Sequence, residues 1–355
     1  MPLRLLLTLF STLIFSVCHV GGQEIPAVKI RRVVIDPGHG GRDPGSVSQN
    51  GRILEKSIVL SVSLKLGELI KLHYPEIEVI YTRSTDLFVP LDQRSEIANR
   101  NKADLFISIH VNAALSTSAS GSETFVMGMN RSNSNMETIR RENSVILLEG
   151  EDYAAKYEGF NPNDPESYII FSLLQNAHIE QSLIMAKLIQ EQLKTGPIKV
   201  DRGIKQDALL VLWKTTMPSV LVELGFISNT SDLNVMSNST NQSKFASLIY
   251  SAFEAYKRQY ESGIEADINM DAIYASNTHY RIQILSSSRQ IPANSAELKG
   301  LGNVRYIRSG TLYKYTVGEY RTIEEARSAQ TDIRRTFPQA FIIKVTGGEI
   351  VPLNP

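Results

Sequence analysis

Apolar residues along this chain follow two alternating rhythms. Short unbroken runs read as buried strands: "VVID" from Val33, "EVIYTR" from Glu78, "DLFISIHVN" from Asp104, "GSETFVMG" from Gly121 and "PSVLVELGFISN" from Pro218. Between them, apolar positions recur every three or four residues. That spacing predicts helices over Glu55 to His73, around Leu91 to Lys102, across "HIEQSLIMAKLIQEQLKTG", which Gly196 and Pro197 stop, and across "KFASLIYSAFEAYKRQY". Strands alternating with helices predict an α/β fold, a mainly parallel sheet flanked by helices on both faces. In such sheets the working edge lies outside the carboxyl ends of the strands.

The rhythm fails between Met129 and Phe171, a long polar stretch of mixed pattern, and Met136 to Glu149 within it could form a helix. Inserts of that size between elements are usually functional or mobile. Beyond residue 260 a polar linker, 261–278, leads to a second pattern over 279–346. It holds the strands "YRIQIL", "VRYIRSG" and "LYKYTVGEY", a helix "TIEEARSAQTDIRRTF" and a last strand "AFIIKV". Thr322 and Glu325 are spaced as a capping box, and the whole reads as a small α+β module.

A length of 355 residues suits about two domains, and 42% hydrophobic against 21% charged residues supplies enough core for both. The 37 basic residues balance the 37 acidic ones, so nothing in the bulk charge points to nucleic acid, and none is expected as a partner. Residues 1–22 have the layout of a secretory signal peptide: one arginine, an apolar run too short for a membrane span of about 20 residues, then small residues. We expect cleavage near Gly22; an uncleaved anchor or lipid attachment at Cys18 are the alternatives. Cys18 is the only cysteine, so the mature chain would have to bind any metal through His, Asp and Glu.

Four residues stand where chemistry would be placed. His39 follows the first strand among glycines at 38, 40, 41 and 45, which let the backbone pass close to whatever it touches. The loop lacks the Lys-Ser/Thr of a P-loop and the spacing of a dinucleotide loop. His110 ends the strand "DLFISIHVN", at the same edge of the sheet. Glu55 opens the following helix, where the helix dipole alone would favour an acid. Two imidazoles and one carboxylate suit Zn²⁺ with one position left for water. Glu223 lies inside the apolar strand "VLVELGF", where a carboxylate needs a partner, a raised pKa or a task. It could serve as general base beside a metal-bound water, or form an internal ion pair.

With those residues in order, Ile30 to Tyr260 resembles the zinc-dependent N-acetylmuramoyl-L-alanine amidases, through "VVIDPGHGGRDPG", "LEKSIVL", "SIHVNA" and "VLVELGFISN". The resemblance implies a catalytic domain over 28–260 with an insertion at about 129–171. It also implies His39, Glu55 and His110 as zinc ligands, Glu223 as the catalytic carboxylate, and hydrolysis of the amide joining N-acetylmuramic acid to the first alanine of the peptidoglycan stem. In some members an inserted helix plugs the site with a glutamate until a protein activator removes it. Glu142 resembles that residue, and a solvated charged helix is the competing account. Arg83 and Arg94 are expected near the site, where they could steady substrate carboxylates or simply form ion pairs. The module at 279–346 resembles SPOR domains, which implies binding of denuded glycan strands; Gln283 and Tyr315 could line its groove, and core or cross-strand packing explains them equally well. The family reading places the protein outside the inner membrane, in the periplasm or cell envelope, in wall turnover and daughter-cell separation. Other readings are a non-catalytic wall-binding or regulatory protein, or a zinc carboxypeptidase or deacetylase of the same polymer.

Overall fold

A computed structural model describes residues 29–128, 136–150, 153–164, 167–168, 178–262 and 278–353, apart from 293–294, 303, 310–311, 321, 347–348 and 352. The predicted signal segment and most of the predicted linker lie outside the described residues, as does part of the insertion.

The first sheet has six strands: β1 (Arg32–Pro37), β2 (Glu78–Tyr81), β3 (Leu105–Asn112), β4 (Ser122–Met127), β5 (Asp201–Asp207) and β6 (Ser219–Phe226). Their spatial order is β2-β1-β3-β6-β4-β5. The first four in that order run parallel, as the alternating pattern predicts. β4 runs antiparallel to β6, and β5 follows β4 in parallel. Every residue of β3, β4 and β6 is buried, which explains why these strands read as continuous apolar runs rather than alternating ones. β5 escapes the sequence pattern for the opposite reason: at the sheet edge most of "DRGIKQD" is only half-buried.

Two apolar layers sandwich this sheet. One face is covered by α1 (Glu55–His73), which contributes Val59, Val62 and Leu66 to the core. Packed beside it are helices at Ile179–Leu193 and Ser239–Ser262, the latter through Phe245, Ile249 and Phe253. On the other face lie α2 (Leu91–Arg100) and a short helix at Leu210–Trp213. The insertion joins this second layer. Its helix α3 (Met136–Asn143) and the 3-10 turn Ser144–Leu148 bury Ile139, Val145 and Ile146, so the segment is part of the core rather than a solvated appendage. The expected helix over Met136 to Glu149 thus exists, tightened in its second half.

The carboxyl end of β1 is fixed by a buried charge pair. Asp36 is fully buried and accepts hydrogen bonds from Arg94 Nη1 at 2.8 Å, Ser108 Oγ at 2.7 Å and Thr82 Oγ1 at 2.5 Å. Burial alone would raise its pKa; Arg94 and the two hydroxyls outweigh that and hold it below the usual carboxylate value.

The second unit is a five-stranded antiparallel sheet, β7 (Thr278–Ser287), β8 (Arg305–Ser309), β9 (Leu312–Tyr320), β10 (Phe341–Thr346) and β11 (Glu349–Val351), in the order β11-β10-β7-β9-β8. A helix at Ile323–Thr336 packs on it around Ile282, Val317 and Ala326, and Thr322 and Glu325 form the predicted capping box. The short strand β11 adds one element to the predicted set.

Replacing Arg94 with alanine would leave Asp36 buried and uncompensated, a loss of about 3–5 kcal/mol. Trp213, the sole tryptophan, sits in the same domain and can follow denaturant unfolding. A variant within about 1 kcal/mol of the parent, well short of that penalty, would contradict this account.

Candidate active site

Backbone geometry aims the first histidine. His39 adopts φ 60°, a left-handed conformation unusual for a residue with a Cβ, and Gly40 and Gly41 continue the positive-φ turn. Gly38 must be glycine because a Cβ there would lie 2.4 Å from His110 Nε2. A Cβ on Gly45, itself at φ 66°, would lie 2.6 Å from His39 Cδ2 and 2.7 Å from Glu55 Oε2. The glycines predicted to permit close approach therefore do so at two named contacts.

Around this turn the expected residues converge. His39, Glu55, His110 and Glu142 are all buried, and one potential ligand atom from each lies within 4.8 Å of the others. Glu55 is set by two backbone donors: Ser46 N–H to Oε2 and Val111 N–H to Oε1, both at 2.7 Å. Its Oε1 stands 3.2 Å from both His39 Nε2 and His110 Nδ1. Glu142, carried by α3, places Oε2 at 3.4 Å and 3.0 Å from the same two nitrogens. Neither ring nitrogen has a hydrogen-bond partner of acceptable geometry, although both are buried. Lone pairs aimed at a shared point, rather than at one another's protons, are what a divalent cation requires. The other nitrogen of His39, Nδ1, is held by Asp43 Oδ2 at 2.7 Å, which fixes the ring and leaves Nε2 as the ligand.

The electrostatics agree with that donor set. Burial tends to lower the pKa of His39, yet Glu55, with Asp43 and Glu142, raises it well above the ordinary value. His110 is likewise opposed by burial but carried up to about 9, chiefly by Glu142. Glu55, despite burial, is pulled far down by the imidazoles. Such concentrated negative charge around two imidazoles attracts a cation, whether protons or a metal ion.

Glu223 sits beside this cluster, paired in register with His110 on one side and with Glu123 on the other. It is fully buried, and neither carboxylate oxygen has a hydrogen-bond partner. Burial first, and then the charge of Glu142, raise its pKa well above the usual value. The internal ion pair that would have made it a structural residue is not among its contacts.

Four candidate side chains make structural contacts rather than facing a ligand. Arg83 and Arg94 are buried beneath the glycine turn, not turned toward a substrate. Arg83 donates to the carbonyls of Pro37, Gly38, Thr85 and Lys56 at 2.7–3.0 Å, and Arg94 to those of Pro37, His39 and Val89 as well as to Asp36. With their forks spent on backbone oxygens, they shape the loop. In the second unit, Tyr315 belongs to the core, its hydroxyl bonded to the backbone N–H of Ile291, and Gln283 is largely buried with Nε2 on Ser286 Oγ. Residues that the sequence did not single out include Asp43, Asn112, Glu123 and Arg141. Of these only Asp43 left a signal, an acid four positions after His39 in a loop of small residues.

Residues 33–255, the segment holding all of these groups, match the N-acetylmuramoyl-L-alanine amidase family, and residues 276–344 match the SPOR domain. The chain belongs to the N-acetylmuramoyl-L-alanine amidase family. Among its relatives is N-acetylmuramoyl-L-alanine amidase AmiA of Escherichia coli, 32% identical over 64% of this chain and 76% of that protein. The uncharacterized protein YqiI of Bacillus subtilis is 33% identical over 67% of this chain and 90% of its own length. A solved amidase from Clostridium difficile is similar at 25% identity over 64% of this chain and 97% of that one, with a TM-score of 0.49.

For this amidase fold, titration with a divalent transition-metal ion should give one tight site that His39→Ala abolishes. Asp43→Asn should keep the ligands but weaken affinity about 10–100-fold, the usual cost of losing the group that orients a ligating histidine. Parent-like affinity in His39→Ala would remove it from the ligand set.

Proposed function

We propose that the protein is a zinc amidase that cleaves the bond between N-acetylmuramic acid and L-alanine in peptidoglycan, with His39, Glu55 and His110 as metal ligands and Glu223 as the catalytic carboxylate. The observation that carries this is the pair of buried imidazole nitrogens flanking Glu55, neither with a hydrogen bond of acceptable geometry among the described residues, and a carboxylate on the adjacent strand that likewise has none there. Two imidazoles and a carboxylate, with no thiolate, are a common donor set for catalytic zinc. What zinc supplies when bound is Lewis acidity toward water and the amide carbonyl.

The chain's own residues do the rest. Glu55, held by two backbone N–H groups, cannot rotate away, and Asp43 keeps His39 in one tautomer. Glu223 takes a proton from the attacking water and passes it to the departing alanine nitrogen, so the leaving group departs as an amine. Burial, which raises its pKa, favours delivery of the proton, and departure of Glu142, whose charge also raises it in the form described, favours the ionised carboxylate that accepts the proton first.

Glu142 occupies the position beside both imidazoles that water or the substrate carbonyl would need. Its own pKa is lowered far below the ordinary value: burial opposes ionisation, but His110 and Arg141 outweigh it. This placement supports reading α3 as a plug that leaves before a stem peptide enters. The leucines just beyond it, Leu147 at 46% and Leu148 at 43% exposure, give a protein activator an apolar hold on the segment.

The SPOR domain would deliver this activity to denuded glycan strands in the cell envelope. The signal layout of residues 1–22 supports export to the periplasm, and no helix among the described residues is long and apolar enough to cross a membrane. Product analysis separates the alternatives. An amidase frees an intact stem peptide with an alanine amino terminus, a carboxypeptidase a shortened stem, and a deacetylase acetate.

Glu223→Gln should retain the metal and lose about 10²–10⁴-fold in kcat on purified sacculi, the usual range for a general acid or base; an active variant would contradict the assigned role. Removing Met136 to Glu149 should raise turnover of the same substrate. Unchanged turnover with intact metal content would end the gating proposal.

A further inference from the structure

Asn112 is fully buried at the end of β3, two residues past His110, and its amide has only one workable orientation. Nδ2 donates to Glu123 Oε1 at 2.5 Å, and Glu123 Oε2 accepts from Arg202 Nε at 2.9 Å. A carboxylate only accepts, so a flipped amide would set oxygen against oxygen. Arg202, the outer member of the relay, holds Glu123 in place. Asn112 Oδ1 must therefore face the other way, toward α3.

There it meets two donors of the plug: Thr138 Oγ1 at 3.0 Å and Arg141 Nη2 at 2.9 Å. The adjacent Ala113 carbonyl accepts from Arg141 Nη1 at 2.8 Å. One guanidinium fork thus fills an acceptor pair, a side-chain oxygen and a backbone oxygen, while the next residue of the same helix places its carboxylate on the imidazoles. When α3 leaves, the Ala113 carbonyl loses its guanidinium donor and Asn112 Oδ1 keeps only the N–H of Ala113 at 2.8 Å, so one acceptor is left unpaired and the other gives up two of its three donors, which is costly in a buried place. A substrate that supplies N–H groups in that place recovers the loss.

We propose that Asn112 Oδ1 and the Ala113 carbonyl form the stem-peptide subsite of this amidase, receiving the N–H of the first amide beyond the scissile bond, and that Arg141 fills it as a stand-in in the plugged form. This rests on the reading of α3 as a plug. Consecutive residues of α3 reach the acceptor pair and the imidazoles together, so the two positions are close enough for consecutive amides of one bound peptide. Asn112 then has two tasks, latching the plug and holding the substrate, whereas Arg141 has only the first. Glu123 and Arg202 are positioning residues that act through Asn112.

The two tasks separate in the full-length protein. Arg141→Ala should lower hydrogen-exchange protection over residues 136–143 and raise turnover of a soluble muramoyl peptide, because the latch is lost and the subsite is intact. Adding Asn112→Ala should keep α3 loose and the metal content unchanged but lower kcat/KM about tenfold, as expected when one buried hydrogen bond to substrate is removed. A substrate in which that first amide N–H is replaced by an ester oxygen should lose at least that factor in Arg141→Ala and lose less in the double variant, where only the Ala113 carbonyl remains to receive it. Undiminished kcat/KM after adding Asn112→Ala would overturn the subsite. If the double variant fails to fold, the ester substrate decides alone: turnover by Arg141→Ala equal to that of the amide would overturn it. Loosening of α3 without a rise in turnover would instead refute the plug, and the amide-to-ester comparison would still test the subsite.

Discussion

The site depends on how two buried arginines hold one short turn. A strand ending in Asp-Pro-Gly-His must direct its carbonyls somewhere, and here the oxygens of Pro37, Gly38 and His39 all accept from Arg83 or Arg94. With the carbonyls drawn beneath the turn, His39 is left in the left-handed region with its ring facing the opposite way, toward Glu55 and His110. Left-handed backbone in a residue with a Cβ persists only when its surroundings over-determine it. Two guanidinium groups supply that surplus, and Asp36 keeps Arg94 in place. The charge buried under the loop is therefore structural, and the charge above it is chemical.

That division explains why the site tolerates so much acid. Glu55, Glu142 and Glu223 crowd around two imidazoles in a buried space, an arrangement that is unfavourable without cationic compensation. Arg141 provides part of it from the same helix that brings Glu142, contacting that carboxylate at 3.0 Å. Helix α3 thus carries Glu142 as a pair with Arg141, and the apolar side of its segment, Ile139 with Val145 and Ile146, packs into the second core layer. A bare carboxylate inserted into this cluster would be repelled by Glu55 and Glu223; carried next to Arg141, it is held. Removing the segment exchanges burial of those apolar groups for access to the imidazoles, so something must cover or replace the exposed surface for opening to be stable.

Much of this was legible in the sequence because it depends on local pattern. Strand ends in a parallel sheet project to one edge, so His39 and His110 could be placed there from their runs alone, and a carboxylate inside "VLVELGF" declared itself by its surroundings. The helix within the insertion and the Thr322–Glu325 cap were legible for the same reason. What was hidden depends on contacts distant in the chain. Arg83 and Arg94 could be assigned to substrate or to ion pairs because nothing near them in sequence predicts that backbone oxygens of the turn 45 to 57 positions earlier would occupy them. Tyr315 looked like a groove residue because alternation in β9 cannot tell which side of a lone sheet its helix will cover. Asn112 is an ordinary polar residue at a strand end until Glu123 and Arg202 are brought beside it.

The strand direction that the pattern did not reveal also sets the extent of the site. Had β4 run parallel to β6, its carboxyl end would have stood at the active edge and Glu123 at the far side of the sheet. Running antiparallel, β4 begins where β6 ends, so Glu123 faces Glu223 in register and Ser122 meets the first residue of β5. His110, Glu223, Glu123 and Arg202 consequently lie along one edge on four neighbouring strands, β3, β6, β4 and β5. A purely parallel sheet would have closed the polar row at Glu223. The reversal extends it by two strands, and that extension is what fixes the amide of Asn112.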